Sequence, residues 1–349
     1  MLVIILVYEF IGHISVNGYK SDNEINKAGN TMKRINTTTS LTKLGKLLTV
    51  IASSAMLISC AGTGTGTGSS GYSSKKADIE LVDWNLSVPI DRDGNGKADS
   101  IREEELASGW TDPRYFYRAK DGGYVFKSPT SGFKTSLNTR YVRVELREML
   151  RRGNKKIKTK GLNKNNWVFD TAPAEAKLAA GGVGGTLTGT LAVNRVSTQG
   201  ERSKVGRVIF AQIHAKKHEP LRLYYRKLPN NKKGSIYFVH EPRNSDDVKV
   251  NVIGSSSKSI TDADNPDGIE LDEKFSYKIT TDGKLITTTI MRSGKPDVVK
   301  TIDISESGYD SPKEYMYFKA GAYVQDDSGI EDDYFQLTYY DLVNTHGSY

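Results

Sequence analysis

The stretch Tyr315-Met316-Tyr317-Phe318-Lys319-Ala320-Gly321-Ala322-Tyr323-Val324-Gln325 constrains the fold most, because it alternates without a break. In an extended strand, side chains point to opposite faces with period two. Met316, Phe318, Ala320, Ala322 and Val324 therefore share an apolar face. Tyr315, Tyr317, Lys319, Tyr323 and Gln325 share the other. Such a strand belongs to a sheet packed on a core on one side and open to a groove or solvent on the other. Tyr141–Arg147 repeats the pattern and puts Arg143, Glu145 and Arg147 together on the polar side. In Val208–Ala215, Ile209, Ala211, Ile213 and Ala215 take the core side and leave Gln212 and His214 on the other. Solvated sheet faces tend towards Lys, Glu, Thr and Ser. A surface gathering Arg, Gln, His, Lys and Tyr has the chemistry of a site, provided that the three strands are neighbours.

The rest of the chain supports an all-β class. Among 349 residues are 33 Gly and 19 Tyr, and long apolar runs are few after residue 60. Turn signals separate short strand-like segments. Leu221–Arg226 and Ser235–His240 flank Pro229-Asn230-Asn231-Lys232-Lys233-Gly234, and Phe275–Thr280 and Leu285–Met291 flank Asp282-Gly283. Thr186–Val196 alternates, and Ile101–Ser108 is the short helix expected near the domain's start. The architecture expected is a two-sheet β-sandwich.

The first sixty residues stand apart. Basic residues from Lys33 to Lys46 precede an apolar stretch from Leu47 to Ile58, ending at Leu57-Ile58-Ser59-Cys60. This reads as a bacterial lipoprotein signal with lipidation at Cys60, the single cysteine. A Gly/Thr/Ser linker follows over 61–77, and the folded domain occupies 78–349. Residues 1–31 lie upstream of a plausible start at Met32. The protein is then exported and held on the bacterial envelope, at the outer membrane, only through its lipid. With one cysteine, no disulfide forms within the chain. The net charge is +8, and removing the six basic and three acidic residues of 1–60 leaves +5. That balance suits a polyanion without choosing one. The basic run from Arg147 to Lys160 lacks interleaved aromatics, so it reads as a solvated or steering loop and no nucleic-acid partner is expected.

Asp91-Arg92-Asp93-Gly94-Asn95-Gly96-Lys97-Ala98-Asp99 mimics a calcium loop, but its twelfth place is Arg102, not the bidentate Glu. It reads as a turn. Glu270-Leu271-Asp272-Glu273 lacks the second carboxylate partner of a glycoside hydrolase. His218, His240 and His346 lack metal-ligand spacing, and Gly181–Gly185 lacks the Lys and Ser/Thr of a phosphate loop.

Arg143-Val144-Glu145-Leu146-Arg147, Gln212-Ile213-His214 and Tyr317–Gln325 resemble, in order, the three signature motifs of polysaccharide lyase family 7, the alginate lyases. Trp84–Ile90 and Leu337–Leu342 extend the resemblance over roughly residues 78 to 346. It implies a jelly roll with a concave substrate groove, alginate as the partner, a monomer, and no cofactor or metal. It further implies that Arg143, Gln212 and His214 hold the uronate carboxylate and that Tyr323 is the general acid. For mannuronate Tyr323 is also the base; for guluronate the base is His214. Glu145 orients Arg143 or Arg147, and Arg147, Lys319 and Gln325 bind neighbouring sugars. Ile213 at the centre of its motif accompanies guluronate acceptance in that family. Long connections at 150–166 and 241–272 could close one groove end and favour attack from a chain end, though an endolytic mode stays open. A silent polyuronate-binding module is the alternative from another class.

Overall fold

The computed structural model describes residues 78–349 apart from residue 331. The expectations for Cys60, the signal and the linker lie outside the described residues. The described part is a sandwich of two almost wholly antiparallel nine-stranded sheets. One runs in the order Lys295–Asp303, Leu285–Arg292, Lys274–Asp282, Gly182–Arg195, Tyr334–Gly347, Tyr124–Pro129 and Phe116–Arg118. The other runs Val248–Ile253, Lys233–His240, Leu221–Arg226, Arg207–His214, Tyr317–Val324, Arg143–Glu148, Trp84–Val88 and Asp99–Ile101. The three alternating strands are thus direct neighbours, with Tyr317–Val324 in the middle. Both hairpins form where the turn residues place them. The short helix is Glu103–Ala107, and a second, Ala174–Ala179, follows Pro173.

The core explains why the strands lie this way round. Val144, Leu146, Phe318, Ala320, Ala322 and Val324 all face inwards and are fully buried. Phe210 of the second sheet meets Phe275 and Tyr277 of the first with ring centroids 5.6 and 5.4 Å apart. Burying each such ring contributes about 1.5–3 kcal/mol. A one-residue slip would expose every apolar side chain on that strand, so the register is firmly specified.

One strand departs from its expected parity. Phe210 and Ala211 both join the main core, and the pairing of Arg207–His214 shifts against both neighbours between Ala211 and Ile209. The irregularity turns Ile209 to the outer face, where it packs with Tyr224, Tyr237, Val239 and Tyr323. The expectation that Ile209 lies with Ala211 and Ile213 is therefore corrected: a bulge inserts one residue and flips everything beyond it. The Tyr339 hydroxyl of the opposite sheet donates to the Phe210 carbonyl at this point. Across from it Gly321 has φ +139, and a Cβ there would stand 2.6 Å from Val144 O. Only glycine fits so close an approach in this conformation.

The connection 241–272 is not one long loop. Val248–Ile253 pairs with Lys233–His240 as an edge strand, and Ile269–Glu270 adds a two-residue strand. At the end of the Arg143–Glu148 strand a carboxylate is buried. Glu148 accepts from Trp167 Nε1 at 3.1 Å, Phe318 N at 3.0 Å, Asn344 Nδ2 at 2.7 Å and His346 Nε2 at 2.8 Å. Burial pushes this carboxyl up, but His346 and the donors outweigh it and hold it below the usual range. His346 is therefore the partner of a buried charge. Among the described residues, ligand atoms close enough for a metal occur at Asp91, Asp93 and Asp99. There Asp91 accepts the Asn95 and Gly96 N–H groups at 2.9 and 2.8 Å, and Asp99 takes Arg92 Nε at 2.5 Å. These carboxylates accept from donors within the loop.

Candidate active site

The register sets the site out in rungs. Tyr323 lies beside Arg143 and Ile209, Gly321 beside Glu145, Lys319 between Arg147 and Gln212, and Tyr317 beside His214. Arg143, Glu145, Arg147, Gln212, His214, Tyr317, Lys319 and Tyr323 thus lie on three adjacent strands, and Tyr315 and Gln325 flank the middle one.

Glu145 is the hub. It is 1 % exposed and takes Arg143 Nη1 at 3.0 Å, the Lys319 ammonium and the Gln212 amide. Burial pushes its carboxyl up, yet Lys319 and Arg143, with the hydrogen bonds from Lys319 and Gln212, hold it below the usual range. It is therefore ionised. Lys319 is pulled down to about 8 by burial and by Arg143, against the pull of Glu145. Of the two arginines on its strand, Glu145 pairs with Arg143.

Arg143 is aimed by both neighbours. Its guanidinium carbon lies 3.6 Å from the Tyr323 ring centroid, a cation–π contact, while Glu145 holds one end. Tyr141 meets the Tyr323 ring edge-on at 6.4 Å. Burial raises the Tyr323 hydroxyl above its ordinary value, with Arg143 opposing, so the phenol keeps its proton at neutral pH.

His214 is fixed by its backbone and by stacking. Its Nδ1 donates to the Ala215 carbonyl at 2.6 Å, and its ring stacks on Tyr317 at 5.0 Å. Since a carbonyl only accepts, Nδ1 carries the proton and Nε2 the lone pair. Burial, then Lys319, lowers His214 to about 3, so the imidazole is neutral. Its Nε2 lies 3.2 Å from Glu219 Oε1. Glu219 had no signal in the strand pattern, for it stands in the connection after the Arg207–His214 strand.

Several expected sugar contacts are otherwise engaged. Arg147 donates to Glu148 O at 2.8 Å, Thr159 O at 2.9 Å and Asn166 Oδ1 at 2.8 Å, and stacks on Tyr317 at 3.9 Å. It ties down the 150–166 connection. Glu145 is buried under the groups it binds, and the Lys319 ammonium donates to it. Gln325 is 7 % exposed, with its amide on Val324 O at 2.9 Å. Gln212 is fully buried beside Lys319, its Oε1 without a partner among the described residues.

Residues 79–346 match the family model described as alginate lyase. A curated alginate lyase of Klebsiella pneumoniae is 50 % identical over 277 residues, 77 % of this chain and 90 % of that protein. The crystal structure of the Klebsiella pneumoniae alginate lyase superposes with a TM-score of 0.75 at 50 % identity, over 77 % of this chain and 97 % of its own. At the level of fold alone, an exolytic PL7 alginate lyase of Zobellia galactanivorans gives 0.55 at 20 % identity, over 77 % of this chain and 96 % of its own.

Proposed function

Because this chain belongs to polysaccharide lyase family 7, the alginate lyases, and is itself an alginate lyase, we propose that it takes guluronate at the reacting position and acts from a chain end. The observation that carries the guluronate reading is the protonation pattern. His214 is neutral with its lone pair on Nε2, and Tyr323 keeps its proton, so the pair divides into base and acid. Removing C5–H beside an ionised carboxylate puts two negative charges together, and donors must first neutralise that carboxylate. Arg143, positioned by Glu145, supplies the charged fork. Gln212, which gives one amide N–H to Glu145, has a second N–H to offer the carboxylate. His214 Nε2 takes the C5 proton, the electrons form the C4–C5 double bond, and Tyr323 protonates the departing C4 oxygen. A mannuronate route would need Tyr323 as base, which its raised value disfavours at neutral pH. Ile213 is buried in the core and acts on Gln212 and His214 only through packing.

Support for the chain-end mode is the 150–166 connection. Arg147 holds it, and Arg151 pins it further to Glu103 at 2.6 Å and to Ile157 O at 2.9 Å. A fixed wall beside Tyr317 would close one end of the groove. Initial rates of unsaturated uronate formation are expected to be higher on guluronate blocks than on mannuronate blocks, with viscosity falling slowly as product accumulates. Faster mannuronate cleavage would overturn the preference, and an early collapse of viscosity the mode.

We also propose that the protein works as an exported monomer anchored through Cys60. Cys60→Ala should move it from the membrane fraction to the soluble one. Membrane association unchanged by that substitution would refute the anchor.

A further inference from the structure

The connection from the Arg143–Glu148 strand to Trp167 carries seven Lys and Arg residues, and no Asp or Glu stands between Glu148 and Asp170. The fold sorts these seven into two kinds. Arg151 pairs with Glu103 at 2.6 Å, Arg152 with Asp83, and Lys155 with Glu104 at 2.7 Å. The Lys164 ammonium donates to the Leu178 and Ala180 carbonyls at 2.7 and 2.6 Å. These four fasten the connection to its surroundings. Among the described residues, the ammonium groups of Lys156, Lys158 and Lys160 have no ion pair or hydrogen bond.

Those three lysines are held in a row. Lys156, Lys158 and Lys160 are exposed, whereas Ile157, Thr159 and Gly161, which alternate with them, are partly covered. The carbonyls of the covered residues are all engaged. Ile157 O accepts from Arg151 at 2.9 Å, and Gly161 O from Asn166 at 2.7 Å. Thr159 O takes three donors, Arg147 at 2.9 Å, Asn165 at 3.0 Å and Asn166 at 3.1 Å. A loop that only kept charge in water would need no such fastening. Fixing the backbone beforehand lowers the ordering cost that a ligand meets on binding. The lysines border a cleft of about 580 Å³ that Ile157, Leu162 and Lys164 also line, with no carboxylate among its lining residues.

We propose that this cleft is a second, non-catalytic binding site for the polyuronate strand: Lys156, Lys158 and Lys160 receive carboxylates of sugars remote from the bond being cleaved, and Ile157 and Leu162 face the C–H surface of the rings. The proposal rests on the alginate lyase activity and not on the guluronate or chain-end readings. A polymer with a carboxylate on every sugar complements a row of cations that no acidic side chain interrupts. Lysine attracts as a point charge, without the planar fork that Arg143 offers, which suits holding a strand and not aligning one carboxylate for reaction. The cleft is also fastened to the catalytic strand. Arg147, which holds Thr159 O, stacks on Tyr317 at 3.9 Å, and Tyr317 stacks on His214 at 5.0 Å. A polymer held at this second point stays beside the groove after each cleavage, so that its next encounter is an intramolecular event. An oligosaccharide that fills only the groove gains nothing from it.

The experiment compares Lys156→Gln/Lys158→Gln/Lys160→Gln with a charge-matched control, Lys278→Gln/Lys284→Gln/Lys300→Gln, whose lysines are exposed on the other sheet and its hairpin turn. KM for polymeric alginate should rise at least about fivefold in the first and stay near the wild-type value in the control. On the polymer kcat should be unchanged, and on an alginate trisaccharide both constants should be. In a Tyr323→Phe background, which slows cleavage, calorimetric titration with the polymer should show the same loss of affinity. Added salt should weaken polymer binding more steeply with the three lysines than without them. Lys158→Gln alone repeats the comparison with the least disturbance to the loop. Polymer KM and affinity both unchanged in the triple variant would overturn the proposal. An equal loss in the control would assign the effect to net charge, and an equal loss on the trisaccharide would place these lysines in the catalytic groove; either result overturns the second site. Intact polymer binding with lost adhesion to phosphatidylglycerol vesicles would give the row to a membrane surface and overturn it as well.

Discussion

Tyr323→Phe should lower kcat by at least about 100-fold, roughly 2.7 kcal/mol of transition-state stabilisation. The substitution deletes only the hydroxyl. The ring that Arg143 covers at 3.6 Å and Tyr141 meets edge-on is kept, so the guanidinium that receives the carboxylate keeps its place. KM should therefore change much less than kcat, the mark of a group that acts in the transition state. The raised value of the Tyr323 hydroxyl, caused first by burial, keeps it protonated and fits the acid and not the base. Turnover near the wild-type value in a folded Tyr323→Phe protein would remove Tyr323 from the proton-transfer step.

Strand parity made the three central strands and their polar faces legible, because alternation over Arg143–Glu148 and Tyr317–Val324 is nearly free of exceptions. It could not reveal that Ile209 turns outwards. Phe210 and Ala211 are both apolar, so a bulge that buries them in succession leaves no mark in the pattern. Edge strands were equally silent. Lys295–Asp303 is mostly exposed, and with little to bury it carries little alternation. The site's ionic partners were partly hidden for a different reason. Parity placed Glu145 with Arg143 and Arg147 but could not say which it would pair with. In the fold Glu145 pairs with Arg143, while Arg147 turns to Glu148 O, Thr159 O and Asn166. Glu219 belongs to no strand, and only the turn after His214 brings it to Nε2. Charges facing one another across loops depend on the closed fold, which local periodicity does not encode.

Glu145→Ala should cost about 3–5 kcal/mol of stability, the range for removing one partner of a buried ion pair. The carboxylate is 1 % exposed and compensates two cations, so its loss leaves Arg143 and Lys319 repelling each other and the Gln212 amide without its acceptor. The pH dependence has a definite sign. The Glu145 carboxyl is depressed in the folded state, so its contribution is complete above the ordinary carboxylate range and is lost as pH falls through the folded value. The difference between wild type and variant should thus be largest near neutrality and shrink on acidification. Urea unfolding across pH, followed by circular dichroism, measures it. The origin of the cost can be tested separately. If it is uncompensated charge, Glu145→Gln in a Lys319→Met background should lose less than Glu145→Gln alone, a positive coupling in a double-mutant cycle. A loss below about 1 kcal/mol in Glu145→Ala, within the range of exposed ion pairs, would mean that Glu145 is not the electrostatic anchor of the site. Activity should fall alongside stability, since Arg143 would keep its cation–π contact with Tyr323 but lose the carboxylate that fixes the direction of its fork.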